Sequence, residues 1–195
     1  MIKRLFDITA SLIGLIVLFP AFIVVSVLVK TSSEGSVFFV QKRIGKNGKA
    51  FQMIKFRSMA VMQSSDSTIS IKGDVRITKT GAFLRKYKLD ELPELFNVLR
   101  GDMSIVGARP DVSGYADKLE GEDVLILELR PGITGPASLK YANEEDILAL
   151  QEDPVKYNDE IIYPDKVKLN LDYYYNNNLW IDIKIIFATI FRTFY

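Results

Sequence analysis

The chain has 195 residues, 25 Lys and Arg against 24 Asp and Glu, and neither His nor Cys. Nucleophilic sites of the Ser/His/Asp and Cys/His kinds are therefore excluded, as are disulfides and metal centres built on imidazole or thiolate. Carboxylate, amine, guanidinium and hydroxyl groups remain for chemistry, and any metal would be a hard cation such as magnesium. The near-zero net charge hides an asymmetry: residues 1–60 carry nine Lys/Arg against two acids, which leaves sixteen against twenty-two for the remainder. A third of the chain at +7 points to an anionic partner, either membrane headgroups or a phosphorylated substrate.

Taken in chain order, the first element runs from Ile8 to Val29, 22 residues without a charge. At about 1.5 Å per residue this segment is long enough to cross the roughly 30 Å hydrocarbon layer. Its alternative is a buried helix in a soluble core. Pro20 lies at its middle and lacks the N–H that would bond the Ile16 carbonyl, so the helix is expected to break or kink there. Both flanks are basic, Lys3 and Arg4 before and Lys30, Lys42 and Arg43 after, so both ends favour the same, cytoplasmic side. A re-entrant helix over residues 1–30 meets both conditions; a kinked single span is the alternative.

Residues 36–41 and 51–56 are short apolar runs on either side of Gly45-Lys46-Asn47-Gly48-Lys49, a pattern that predicts a β-hairpin. The Ser-rich stretch 61–76 reads as a loop. From Thr80 the apolar residues recur every three or four positions as far as Leu99, and Gly101 marks a helix stop. Residues 102–118, with Gly107, Pro110 and Gly114, read as loop; helices are expected near 120–129, 143–151 and 164–175. The apolar segment from Trp180 to Tyr195 suits an amphipathic helix on a membrane interface, or equally a core helix. The expected fold is thus α/β but mostly helical: a membrane-associated domain with one short hairpin, residues 31–195 forming a cytosolic-face unit integral with the first helix.

The densest set of reactive groups is Lys86-Tyr87-Lys88-Leu89-Asp90-Glu91-Leu92-Pro93-Glu94. Pro93 favours the first turn of a helix, which puts Asp90 and Glu91 at or just before its N-terminus. Free N–H groups, the helix dipole and nearby lysines favour an ionised carboxylate there. An ionised Asp can act as nucleophile beside a metal-holding Glu, although ordinary helix capping has the same sequence appearance. Arg109 and Arg130 stand beside prolines in Gly-rich segments, where guanidinium groups suit phosphate recognition, or simply bond loop carbonyls. No P-loop or dinucleotide fingerprint occurs, and no nucleic-acid partner is expected.

The ordered blocks VQKRIG (40–45), KFRSM (55–59), TGAFLRKYKLDELPELFNVLRGDMSIVGARP (80–110) and RPGITG (130–135), behind a proline-containing apolar N-terminus, resemble the bacterial sugar transferases. The resemblance covers almost the whole chain and is to the minimal, catalytic-domain-only monotopic phosphoglycosyl transferases. It implies the first membrane step of bacterial glycan assembly, at the cytoplasmic face of the inner membrane. Asp90 would attack a UDP-sugar to release UMP and form an aspartyl-phosphosugar, which polyprenol phosphate then takes up as polyprenyl-diphosphate-sugar. Glu91 would hold Mg²⁺, with Asp90 a second candidate ligand. Lys55, Arg109 and Asp172 would complete the site, and Arg57 and Arg130 join them as phosphate-binding candidates. Downstream glycosyltransferases are the further partners expected. Three departures stand out: Ala108 where the family often has proline, Phe19 where it often has serine before Pro20, and the run from Pro136 to Tyr141 after RPGITG. Two rival readings use the same residues: a non-catalytic anchor or partner-binding subunit, and a metal-dependent phosphodiesterase.

Overall fold

The computed structural model describes residues 1–60 and 76–191. The loop expected over 61–76 therefore falls, apart from Arg76, outside the described residues, as does the end of the C-terminal segment. One long helix, α1 (Ile2–Ser32), carries a stripe of buried residues at Asp7, Ser11, Phe22, Val25 and Val29, with Leu15 and Leu18 half-buried between them. Steps of three and four put all of these on one helical face. That face packs on Phe56, Leu84, Leu89 and Leu92, while Leu12, Ile16, Val17, Phe19, Ile23 and Val27 remain exposed. Among the described residues α1 is the one helix long and apolar enough to cross a membrane.

The break expected at Pro20 is not present: helical backbone runs through it without interruption. A proline removes one donor from the helix ladder. Leu18 and Phe22, on either side of it, both sit in the same apolar cluster, so the domain anchors the turns before and after Pro20, which itself faces outward. Both ends of α1 are fastened to the domain, the C-terminal one by Arg57, which donates to the Val29 and Ser33 carbonyls. Arg4 donates to the Val98 and Leu99 carbonyls at 2.6 and 3.0 Å, and Lys3 pairs with buried Asp182. Asp7 accepts from Ser104 Oγ and from the Ile105 N–H at 3.1 Å.

The hairpin forms as the alternation requires, β1 (Phe38–Ile44) antiparallel to β2 (Ala50–Phe56), with Phe38 opposite Phe56 and Ile44 opposite Ala50. The helical pattern from Thr80 serves two helices rather than one. In α2 (Lys79–Lys86), Thr78 caps the first turn by accepting from the Gly81 N–H at 2.9 Å. A Cβ on Gly81 would lie 1.8 Å from the Ser58 carbonyl oxygen, so only glycine lets this helix start against the end of β2. Lys88, at φ 56°, then turns the chain into a tight turn over Leu89–Glu91, and α3 (Glu94–Arg100) follows. Gly101, at φ 93°, closes α3 by donating to the Asn97 and Val98 carbonyls.

Two three-residue strands, β3 (Ser104–Val106) and β4 (Gly132–Thr134), pair in parallel where the sequence reads as loop. Gly107, directly after β3, and Gly132, the first residue of β4, let the two segments approach closely: a Cβ on Gly132 would meet the Gly107 nitrogen at 2.1 Å. Between them the expected helix at 120–129 is a run of tight turns over Gly121–Glu128. The remaining helices are α4 (Pro136–Lys140), α5 (Glu144–Ala149), α6 (Pro154–Tyr157), α7 (Tyr163–Asn176) and α8 (Leu179–Phe191). Ile185 of α8 and Tyr173 of α7 close a core around Val106 of β3. Trp180, Phe187 and Phe191 lie exposed on α8, so that helix is part core and part apolar surface.

Candidate functional site

Asp90 and Glu91 share the tight turn that the left-handed Lys88 sets up, a backbone conformation costing about 1–2 kcal/mol for a residue with a side chain. Both side chains are buried, at 6% and 8% exposure, as is Glu94 at 1%. Lys55 reaches in from β2, with Nζ 3.1 Å from Glu91 and 3.2 Å from Glu94. Arg109 grips both oxygens of Glu91, one through NH1 at 3.3 Å and the other through NH2. Its position follows from the glycine crossing: Gly107 donates to the Thr134 carbonyl at 2.9 Å and Gly132 to the Ala108 carbonyl at 2.8 Å, which fixes the segment two residues before Arg109.

The two carboxylates of the dyad are treated oppositely. Burial raises the pKa of Asp90, and the charge of Glu91 raises it further, against the pull of Lys55, Arg85 and Lys88. Burial acts on Glu91 too, but Arg109 and Lys55 outweigh it and hold that carboxyl well below the usual carboxylate range. Glu91 is thus fixed as an anion. Asp90 Oδ1 is buried with no hydrogen-bond partner, an arrangement a folded chain rarely leaves without cause. Beyond Arg109, Arg43 donates to the Pro110 carbonyl at 3.1 Å, and burial pushes Asp111 up to about 6.

Of the residues singled out in the sequence, Asp90, Glu91, Lys55 and Arg109 come together. Arg57 does not join them: its guanidinium turns to the end of α1, donating to the Ser33 and Val29 carbonyls at 2.7 and 3.2 Å. Arg130 donates through Nε to the Gly101 carbonyl at 2.7 Å and so ties the end of α3 to β4. Asp172 is exposed on α7, where its carboxylate accepts from Asn176 at 3.0 Å. Three neighbours of the dyad have no role assigned from the sequence: Glu94, which falls in the same reactive cluster, Arg85, which pairs with Glu145, and Arg43. Glu94 was findable, since three residues after Glu91 is one helical turn. Arg43 reaches the site only through the hairpin's placement and leaves no local signal.

Among the described residues no three acidic side chains converge closely enough to hold one ion. Asp90 and Glu91 nevertheless suit magnesium, which uses one or two carboxylates and takes its other ligands from water and substrate phosphates. The unpartnered Asp90 oxygen would be a free donor atom for such an ion.

A carboxylate dyad set among lysine and arginine has the charge pattern that suits phosphate groups. The chain matches the bacterial sugar transferase family along residues 1–195, and it belongs to that family. A Klebsiella pneumoniae protein named UDP-glucose:undecaprenyl-phosphate glucose-1-phosphate transferase is 41% identical over 198 residues, covering 98% of this chain and 40% of that protein. An Aeromonas hydrophila protein named UDP-N-acetylgalactosamine-undecaprenyl-phosphate N-acetylgalactosaminephosphotransferase is 36% identical, covering 97% and 43%. The exopolysaccharide production protein ExoY of Rhizobium meliloti (strain 1021) is 35% identical over 208 residues, covering 97% of this chain and 84% of that one. The chain thus spans about two fifths of the length of the first two relatives.

Proposed function

We propose that the chain transfers a sugar-1-phosphate from a UDP-sugar to polyprenol phosphate, yielding polyprenyl-diphosphate-sugar and UMP. The observation that carries this reading is the buried Asp90 carboxylate with an unpartnered oxygen inside a ring of cations. The family match and the activities in the relatives' names support it.

An Asp90 oxygen attacks the sugar-bearing phosphorus of the donor. The bond from that phosphorus to the bridging oxygen breaks, and UMP leaves with the electron pair. In the second step an oxygen of the lipid phosphate attacks the same phosphorus and Asp90 departs as a carboxylate. Lys55 and Arg109 neutralise the phosphate charge that builds in both steps, and their grip on Glu91 keeps that side chain in one orientation. Magnesium, held by Glu91 with Asp90, would supply charge neutralisation at the diphosphate. Desolvation of Asp90 makes its ionised form a less stabilised and more reactive nucleophile than a carboxylate in water.

In this reading residues 1–30 and 31–195 act as one unit at the cytoplasmic face of a bacterial inner membrane, with downstream glycosyltransferases taking the product. The helix α1 lies in one leaflet with both ends on the same side. Its apolar outer face and the attachment of both ends to one domain support this, and its unbroken course through Pro20 makes the insertion shallow. Cysteines placed at the exposed positions Ile2 and Glu34 are expected to resist labelling from the periplasm in intact cells; labelling of either one alone would mean a span.

The chemical test is intact-mass analysis after incubation with a panel of UDP-sugars and magnesium. A phosphosugar adduct is expected that Asp90→Asn and chelation both abolish. An adduct that survives Asp90→Asn would overturn the assignment. UMP release without any adduct would favour the phosphodiesterase alternative.

A further inference from the structure

We propose that Arg57, with Ser33, forms the seat for the phosphate of the lipid acceptor, a subsite separate from the dyad. The inference rests on the transferase reading above. Arg57 stands two positions after Lys55, just beyond the end of β2, and the two side chains part there: Lys55 goes to the dyad and Arg57 to the end of α1. Only 6% of Arg57 is exposed. One arm of its guanidinium, NH2, is used by the carbonyls of Val29 and Ser33, which satisfies part of the negative end of the helix. The other donors, Nε and NH1, are buried without any hydrogen-bond partner, and so is the hydroxyl of Ser33. A guanidinium sheltered from water with donors unmade is costly, and an anion that accepts from them removes the cost. A phosphate monoester fits, since it can accept from the planar fork and from a hydroxyl together.

The surroundings distinguish the acceptor from the donor. On one side of Arg57 the outer face of α1 exposes Val24, Val27 and Leu28; on the other, β1 begins with exposed Phe38, Phe39 and Val40. An isoprenoid chain has apolar surface to follow on both sides, whereas a UDP-sugar has nothing apolar to place there. Lys55 then links the seat to the dyad, giving the acceptor's phosphate a cationic track from the level of the helix end toward Asp90.

The experiment separates the two half-reactions of the full chain in nanodiscs. Adduct formation from UDP-sugar and magnesium without acceptor reads the donor step; product formation against increasing undecaprenyl phosphate reads the acceptor step. Arg57→Gln is expected to leave the rate of adduct formation within about twofold. It should raise the half-saturating acceptor concentration by about tenfold or more, the scale of one lost charge-assisted hydrogen bond. Arg57→Lys should recover part of that loss, and Ser33→Ala should give a smaller shift in the same direction. If both half-reactions fall together in Arg57→Gln and recover together in Arg57→Lys, Arg57 serves only to cap α1 and the proposal fails. It fails equally if acceptor dependence is unchanged. A shift seen only in nanodiscs containing anionic lipid, and absent in zwitterionic ones, would assign the seat to bilayer headgroups and overturn the acceptor assignment. Absence of adduct in the unsubstituted protein with every donor would instead remove the parent reading.

Discussion

Two buried aspartates, Asp7 in α1 and Asp90 before α3, are almost equally hidden from solvent, at 2% and 6% exposure, and their surroundings differ in kind. Asp7 is saturated: Ser104 Oγ donates to it at 2.9 and 3.0 Å and the Ile105 N–H at 3.1 Å. Those bonds pin the start of α1 to β3 and leave nothing over for a ligand. Asp90 has an oxygen with no partner, a neighbouring anion in Glu91, and a pKa raised by burial. Burial of a carboxylate therefore does not mark a reactive site in this chain. An unpartnered oxygen beside a second carboxylate and a cluster of cations is what sets Asp90 apart from Asp7. The same contrast separates the ends of α1, where Lys3 and Arg4 are engaged while Arg57 keeps two donors unmade.

The contrast can be broken by exchanging what is measured. Asp90→Asn is expected to lower adduct formation by about 10³-fold or more, the scale for loss of a nucleophile, with no loss of melting temperature, because an amide is cheaper to bury than an unpartnered carboxylate. Substantial unfolding of Asp90→Asn would make it a structural residue after all. Asp7→Ala should do the reverse in stability, since Ser104 and Ile105 lose their acceptor. A loss of about 3 kcal/mol is expected, or roughly 6–12 °C in melting temperature for a chain of this size. Adduct formation by the folded fraction should persist at a temperature well below the melt; its abolition there would contradict the division of roles.

The smallest effect concerns Asp111, whose folded pKa of about 6 lies above the ordinary 3.8. A carboxyl raised in this way binds its proton more tightly in the folded chain, so its contribution to stability falls as pH rises from about 4 to 6. Asp111→Asn should therefore melt slightly higher than the unsubstituted protein at pH 7.5 and equally at pH 4. A lower melt at pH 7.5 would mean that Arg43, Arg109 and Lys166 stabilise the anion more than burial penalises it.

Much of this was readable from local pattern. The hairpin follows from apolar runs around a Gly-Lys-Asn-Gly turn, and Asp90 and Glu91 were placed before α3 by Pro93. Other features depend on distant segments. The strands β3 and β4 are three residues long, too short for either to carry a periodicity to detect. Pro20 looks like a break when α1 is read alone, and does not act as one when Leu18 and Phe22 are held by the same cluster. Lys3 and Arg4 read as the basic flank of the apolar segment, and in the fold they bond to Asp182 and to the end of α3.

By itself the sequence determined which chemistry was open, through the absence of His and Cys, and which helix could meet a membrane, through 22 uncharged residues. Both are properties of composition and run length, which need no partner. Only the tertiary structure decided that Glu91 is locked by Lys55 and Arg109, that Asp90 Oδ1 is left unpartnered beside it, and that Lys55 goes to the dyad while Arg57 goes to the end of α1. Those outcomes depend on distance and burial between segments far apart in the chain, and the electrostatics of a carboxylate follow from its neighbours more than from its own identity.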